Sequence, residues 1–178
     1  MVKKIFYFLF YALFFFGALL FFLPKEEFYY LVEKELQQYG IIIDDEEIQE
    51  RSLSLEITFA KVYVKEIEVA RVQRADIKLL GIYNALDCEN ILLSGLATNF
   101  LPARIDSLHV GYTLVDPLHI DIDAKGAFGV MHATLSLYNR TLVALVQPSK
   151  RMLQKYRATL RVFTKDADGG YRYEYSLK

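Results

Sequence analysis

The sequence predicts a mainly β fold: a single N-terminal transmembrane helix, a short amphipathic helix, then an antiparallel β-sheet domain, either folded over on itself or left as a groove. Three observations predict it. Residues 5–23 run without a charge, an Asn or a Gln. Residues 25–39 set apolar side chains at helical spacing. From residue 48 onward the apolar period changes from 3.6 to 2.

A helix over 5–23 would be roughly 28 Å long, close to the ~30 Å hydrocarbon core of a bilayer. Its backbone hydrogen bonds close within the segment, as lipid demands. A cleavable secretory signal has a shorter apolar region and a small-x-small site after it. Here the run ends in bulky Phe21, Phe22 and Leu23, and Pro24 follows, so an uncleaved anchor is expected. A lipoprotein signal needs a Cys directly after the run, and the single Cys is Cys88. A buried core helix would be odd with so many Phe and no polar face. Lys3 and Lys4 precede the span, whereas Lys25 is followed by Glu26 and Glu27. The positive-inside rule therefore predicts a single-pass protein of a bacterial inner membrane, N-terminus cytoplasmic and residues 24–178 periplasmic. The expected organisation is an anchor over 1–23 and one domain over 24–178, held together by burial without a disulfide.

The formal net charge is −1, with basic and acidic residues interspersed, so no nucleic-acid partner is expected. In chain order, Pro24 suits a helix start, Glu26 and Glu27 complement its dipole, and Gly40 can end it. Phe28, Leu31, Val32, Leu36 and Tyr39 form its stripe. The acidic run Asp44-Asp45-Glu46-Glu47 lacks the Gly and the spacing of a calcium loop and reads as a solvated turn. Leu53, Leu55, Ile57 and Phe59 alternate with polar residues as a half-buried strand. Val62 and Val64 sit on the other parity, and a turn or bulge is expected near Lys65-Glu66. Ala75, Ile77 and Leu79 alternate next, residues 80–87 suggest a single helical turn, and Ile91 and Leu93 resume strand before a loop over 95–102. Leu108, Val110, Tyr112 and Leu114 form another strand, with a turn at Asp116-Pro117. Ile120 and Ile122 follow, then a turn around Phe128 and a strand from Ala133 to Leu137. Residues 141–146 read as a central strand. Pro148-Ser149 can cap a short helix to about Tyr156. Leu160 and Val162 are expected to pair with Tyr171, Tyr173 and Tyr175 across the turn 166–170.

Catalytic motifs are scarce: no GxSxG, HExxH, P-loop, CxxC or GxGxxG occurs, so no enzyme and no cofactor are predicted. The weak metal candidates are His119, Asp121 and Asp123, whose spacing sets them on one strand face. A solvent-facing strand opposite Ile120 and Ile122 is the better account of them, and His109 and His132 read as surface residues. Cys88 has no basic neighbour to activate it and reads as a buried or inert thiol. The informative feature is the apolar face made by Leu53, Leu55, Ile57, Ile77, Leu79, Leu108, Val110 and Tyr112. A sheet must cover such a face with a helix, a second sheet or a ligand. The short chain favours a closed, self-covered sheet.

This order of parts resembles the type II secretion system protein N family and the wider AsmA-like group of inner-membrane-anchored β domains. The resemblance rests on Phe22-Leu23-Pro24, on the helix ending at Gly40, and on the strands over 53–59 and 62–69. It extends to the strand, helical turn, strand pattern of ADIKLLGIYNALDCENILLSG (75–95). The Gly-punctuated AKGAFGVMHATLSLYNRTLVALVQPS (124–149) matches it too. It implies a non-enzymatic accessory protein of an envelope secretion or assembly complex, its β domain docking on protein partners. The alternative expectation is a lipid-handling module that binds an acyl chain in an apolar groove.

Overall fold

The structure, a computed structural model, describes residues 2–22, 24–165 and 169–177. Leu23 of the predicted anchor and residues 166–168 of the predicted hairpin turn lie outside them. In chain order come α1 (Val2–Phe21), α2 (Lys25–Gln38), β1 (Ile41–Asp44), β2 (Glu47–Glu50), β3 (Ser54–Val64), β4 (Ile67–Leu79) and β5 (Tyr83–Leu93). A 3-10 helix (Gly95–Asn99) follows. After it come β6 (Arg104–Thr113), β7 (Asp116–Gly126), β8 (Gly129–Ser136), β9 (Thr141–Pro148), α3 (Lys150–Lys155), α4 (Arg157–Leu160), β10 (Thr164–Lys165) and β11 (Tyr171–Ser176).

The strands form one open antiparallel sheet of 11 strands in the order β1-β3-β4-β5-β6-β7-β8-β9-β11-β10, with β2 also pairing β3. Sequential hairpins generate this meander because each short turn delivers the chain beside the strand just laid down. The mainly β class, the apolar N-terminal helix and the short second helix are as the sequence predicts. The sheet does not close on itself, contrary to the expected self-covered form.

Two helical covers seal parts of one face. Tyr29 of α2 packs with Leu55, Ile57, Ala60, Ala75, Cys88 and Ile91. At the other edge Met152 and Leu160, from α3 and α4, pack with Ala124 and Phe128. Ser149 caps α3 by accepting from the Met152 amide at 3.2 Å, as its sequence position suggests.

A crease crosses four strands. Pairing skips Phe59 opposite Gln73, Gln73 opposite Asn90, and Asn90 opposite Asp106, yet resumes without a shift on either side. Phe59 (φ 61) and Asn90 (φ 51) adopt left-handed backbone there. The apolar parity changes with it, from Leu55 and Ile57 to Ala60 and Val62 in β3, and from Val72 to Ala75 and Ile77 in β4. All four strands switch at the same level, so the apolar side chains stay on one face. The crease ends against Gly126, where a Cβ would sit 2.6 Å from the Arg104 carbonyl oxygen.

Several sequence expectations are corrected by this geometry. The turn expected near Lys65-Glu66 is present as the β3–β4 hairpin turn, both residues at positive φ, whereas the parity change within β3 lies at Phe59. Phe59 therefore points to the opposite face and is 60% exposed, while Leu53 precedes β3 in a bend at 50%. Residues 80–87 form no helical turn. The Asn84 amide bonds both the amide and the carbonyl of Gly81, closing a tight turn before β5. The turn after β6 is Leu114-Val115, and Asp116-Pro117 opens β7. Leu160 and Val162 are not strand partners of the tyrosines: β11 runs antiparallel to β9 over its full length, and among the described residues β10 pairs with Tyr171 and Arg172 alone. In α2 the buried stripe runs through Lys25 and Tyr29, and Leu31 and Tyr39 face solvent.

Candidate functional site

Residues paired directly across antiparallel strands share a face, and the register sorts the apolar face into three rows. The first runs Ile48, Ile57, Ala75, Cys88, Leu108, Ala124, Met131, Val146, Tyr171. The second continues from Leu55 through Ile77, Leu86, Val110 and Ile122 to Ala133, Ala144 and Tyr173. The third holds Leu79, Asn84, Tyr112, Ile120, Leu135, Leu142 and Tyr175. Burial decreases from the first row to the third: most of the first is buried, and no residue of the third is. The trough therefore opens toward the end of the sheet that carries the turns at 80–82, 114–115 and 137–140.

Beneath α2 the trough deepens into a cavity of about 340 Å³. Phe28, Val32 and Leu36 roof it, and Leu55, Ile57, Ala75, Ile77, Leu86 and Cys88 form its floor. Lys25 and Glu33 are the two charged residues on its wall. Lys25 is 1% exposed and its Nζ lies 3.2 Å from Glu50 Oε1, which ties the start of α2 to β2. The Tyr29 hydroxyl donates to Glu46 Oε1 at 3.2 Å. Burial, reinforced by the charges of Glu46 and Glu33, pushes the Tyr29 phenol well above its ordinary value. Burial also pushes the Cys88 thiol up to about 11, which keeps it protonated where it lines the apolar wall.

The opposite face is polar and held by cross-strand ion pairs. Glu56, 8% exposed, accepts from Arg74 Nε at 2.7 Å and from Arg51. Asp87 bonds Lys78 at 2.9 Å and His109 at 2.5 Å. Burial alone would raise the Asp87 pKa, but those two bonds outweigh it and hold the carboxyl below its ordinary range.

Of the predicted apolar-face residues, Leu55, Ile57, Ile77, Leu79, Leu108, Val110 and Tyr112 share the trough, and Leu53 does not. The metal candidates stay apart on the polar face: His119 bonds Asp116, Asp121 accepts from Thr134, and Asp123 bonds His132. No group of three potential ligands is arranged for a metal among the described residues. Ala60, Val72 and Leu86 are trough residues that simple alternation misses. The parity change on either side of Phe59, Gln73 and Asn90 is the signal that could have found them.

Fold and site together define a class: an open antiparallel meander bearing an apolar trough, joined to a helix long and apolar enough to cross a membrane (Lys3–Phe21). No family model, no curated protein and no solved structure matches the chain.

Proposed function

We propose that the chain is a non-enzymatic, membrane-anchored module that seats an acyl chain of a membrane lipid in the trough beside α2. One observation carries this: the cavity is walled by apolar side chains and continues along uncovered apolar rows out to Tyr112, Ile120 and Leu142. Its volume falls in the range of small-molecule sites. Soluble domains rarely leave a contiguous apolar face of this kind without an occupant. An acyl chain gains roughly 0.8 kcal/mol per buried methylene, so ten methylenes supply about 8 kcal/mol before ordering costs. The anchor delivers that lipid: Lys25, on the cavity wall, follows the end of α1 by a few residues. In this reading α1 spans the inner membrane of a diderm bacterium and the sheet lies in the periplasm.

A photo-crosslinking amino acid at position 110, in the full chain and in native membranes, tests the reading. Lipid adducts at 110, and none at position 121 on the polar face, are expected. Protein adducts at 110 without lipid would remove the proposal.

A second reading, docking within an envelope secretion or assembly complex, is favoured by the edge of β11. Among the described residues, β10 pairs Tyr171 and Arg172 alone, so the backbone over 173–176 is open to an added strand. Crosslinking from that edge would recover an envelope-complex component if this reading holds, and none if it does not.

A further inference from the structure

Turns that face water take Gly, Asn, Asp or Lys, because their backbone is exposed and their side chains are solvated. Three turns at one end of this sheet depart from that rule, whereas the β2–β3 turn at the same end, Arg51-Ser52-Leu53, is mostly polar. The β4–β5 turn is Leu80-Gly81-Ile82, with Ile82 71% exposed, and the β6–β7 turn is Leu114-Val115, with Val115 93% exposed. Leu118 stands beside it, and the β8–β9 turn carries Leu137 and Tyr138, the latter 81% exposed. At the other end the β3–β4 turn is Lys65-Glu66 and Phe128 in the β7–β8 turn is buried, while the β5–β6 connection exposes Leu96 and Phe100.

These apolar turns form one continuous rim. The Leu114 amide donates to the Ile82 carbonyl at 3.0 Å, Leu137 to Leu118 at 2.8 Å, and Leu177 to Arg140 at 2.7 Å. Its first turn also touches the anchor: a Cβ on Gly81 would lie 3.5 Å from Leu20 Cδ2, in the last turn of α1. A rim beginning at the end of a membrane-spanning helix stands at the level where that helix leaves the hydrocarbon.

We propose that this rim, residues 80–83, 114–118 and 137–140 with Tyr175 and Leu177, is seated in the interfacial layer of the bilayer that α1 spans. The inference rests on the reading of α1 as a membrane anchor. The composition suits that layer. Leu80, Ile82, Leu114, Val115, Leu118 and Leu137 supply apolar area, and Tyr83, Tyr138 and Tyr175 are amphipathic rings of the kind enriched at membrane interfaces. Arg140 is positioned to reach lipid phosphates. The one carboxylate in those three turn segments, Asp116, is bonded to His119 at 2.9 Å. Seating the rim would also point the open end of the trough at the lipid, so a chain could pass from bilayer to cavity without crossing water.

The test uses the full chain with Cys88→Ala, reconstituted in nanodiscs of phosphatidylethanolamine and phosphatidylglycerol. Single cysteines replace Phe10 in α1, Val115 or Tyr138 on the rim, or Glu66 at the far end, and carry an environment-sensitive fluorophore. Lipid-attached quenchers placed just below the headgroups should extinguish emission at 10, 115 and 138 and leave 66 bright. Quenching at 10 with bright probes at 115 and 138 overturns the rim while sparing the anchor. Bright probes at every position, 10 included, overturn the anchor reading and the rim with it. Both rim sites are more than four-fifths exposed, so these labels do not threaten the fold.

Discussion

Leu55→Ala and Val110→Ala, compared in the full chain, report how much of the apolar face is covered. Leu55 is 0% exposed, at the floor of the cavity against α2. Truncating it removes three carbons, about 2.4 kcal/mol of transfer energy at ~0.8 kcal/mol per methylene. Incomplete relaxation adds a cavity term of about 24 cal/mol per Å³ of void left behind. A total of about 3 kcal/mol follows for Leu55→Ala. Val110 shares its row but is half-buried and lies outside the cavity beneath α2. Losing two carbons at half burial costs about 0.8 kcal/mol, and no cavity term arises where the void opens outward. The β signal of the protein in detergent micelles, followed by far-UV circular dichroism through urea unfolding, gives both values. The expected cost is roughly fourfold larger at Leu55. Equal costs near 3 kcal/mol would mean that the face around Val110 is covered, and the open trough would be abandoned. A cost below about 1 kcal/mol at Leu55 would mean that α2 does not seat on β3 as described.

Two further outcomes follow from the titrating groups. Cys88, at about 11, leaves roughly one thiol in a thousand ionised at pH 8, so alkylation in the native protein should be far slower than in urea; equal rates in both would contradict its burial. Asp87 has a folded pKa below its ordinary 3.8, so its bonds to Lys78 and His109 stabilise the fold above that value and are lost as pH falls through the lowered one. Because the side chains of Asp87 and His109 are each 36% exposed, Asp87→Asn should cost under about 1 kcal/mol at pH 7. That difference should vanish in acid; a gap that persists or widens there would reverse the sign of the linkage.

The sequence by itself determined the elements whose causes are local. The unbroken apolar run made α1 recognisable as a candidate span, and helical spacing with Pro24 and Gly40 at its ends delimited α2. Alternation over residues 75–79 and 108–112 placed Ala75, Ile77, Leu79, Leu108, Val110 and Tyr112 on one face, because the pleat makes parity a property of neighbouring residues. Three matters were decided by the tertiary structure alone. Leu53 and Phe59 obey the same alternation as Leu55 and Ile57, yet the crease turns Phe59 outward, and its partners Gln73 and Asn90 lie far along the chain. The tyrosines of β11 alternate as a hairpin strand should, and β10 does pair with β11 on one edge, but the six-residue ladder to β9 on the other edge joins residues far apart in the chain, which alternation cannot specify. Whether the sheet closed or stayed open turned on the relative positions of its first and last strands, which no local pattern encodes. The rim shows the same limit. Ile82, Val115 and Tyr138 look like unrelated apolar residues in three loops, and the register of the intervening strands brings them to one end of the sheet.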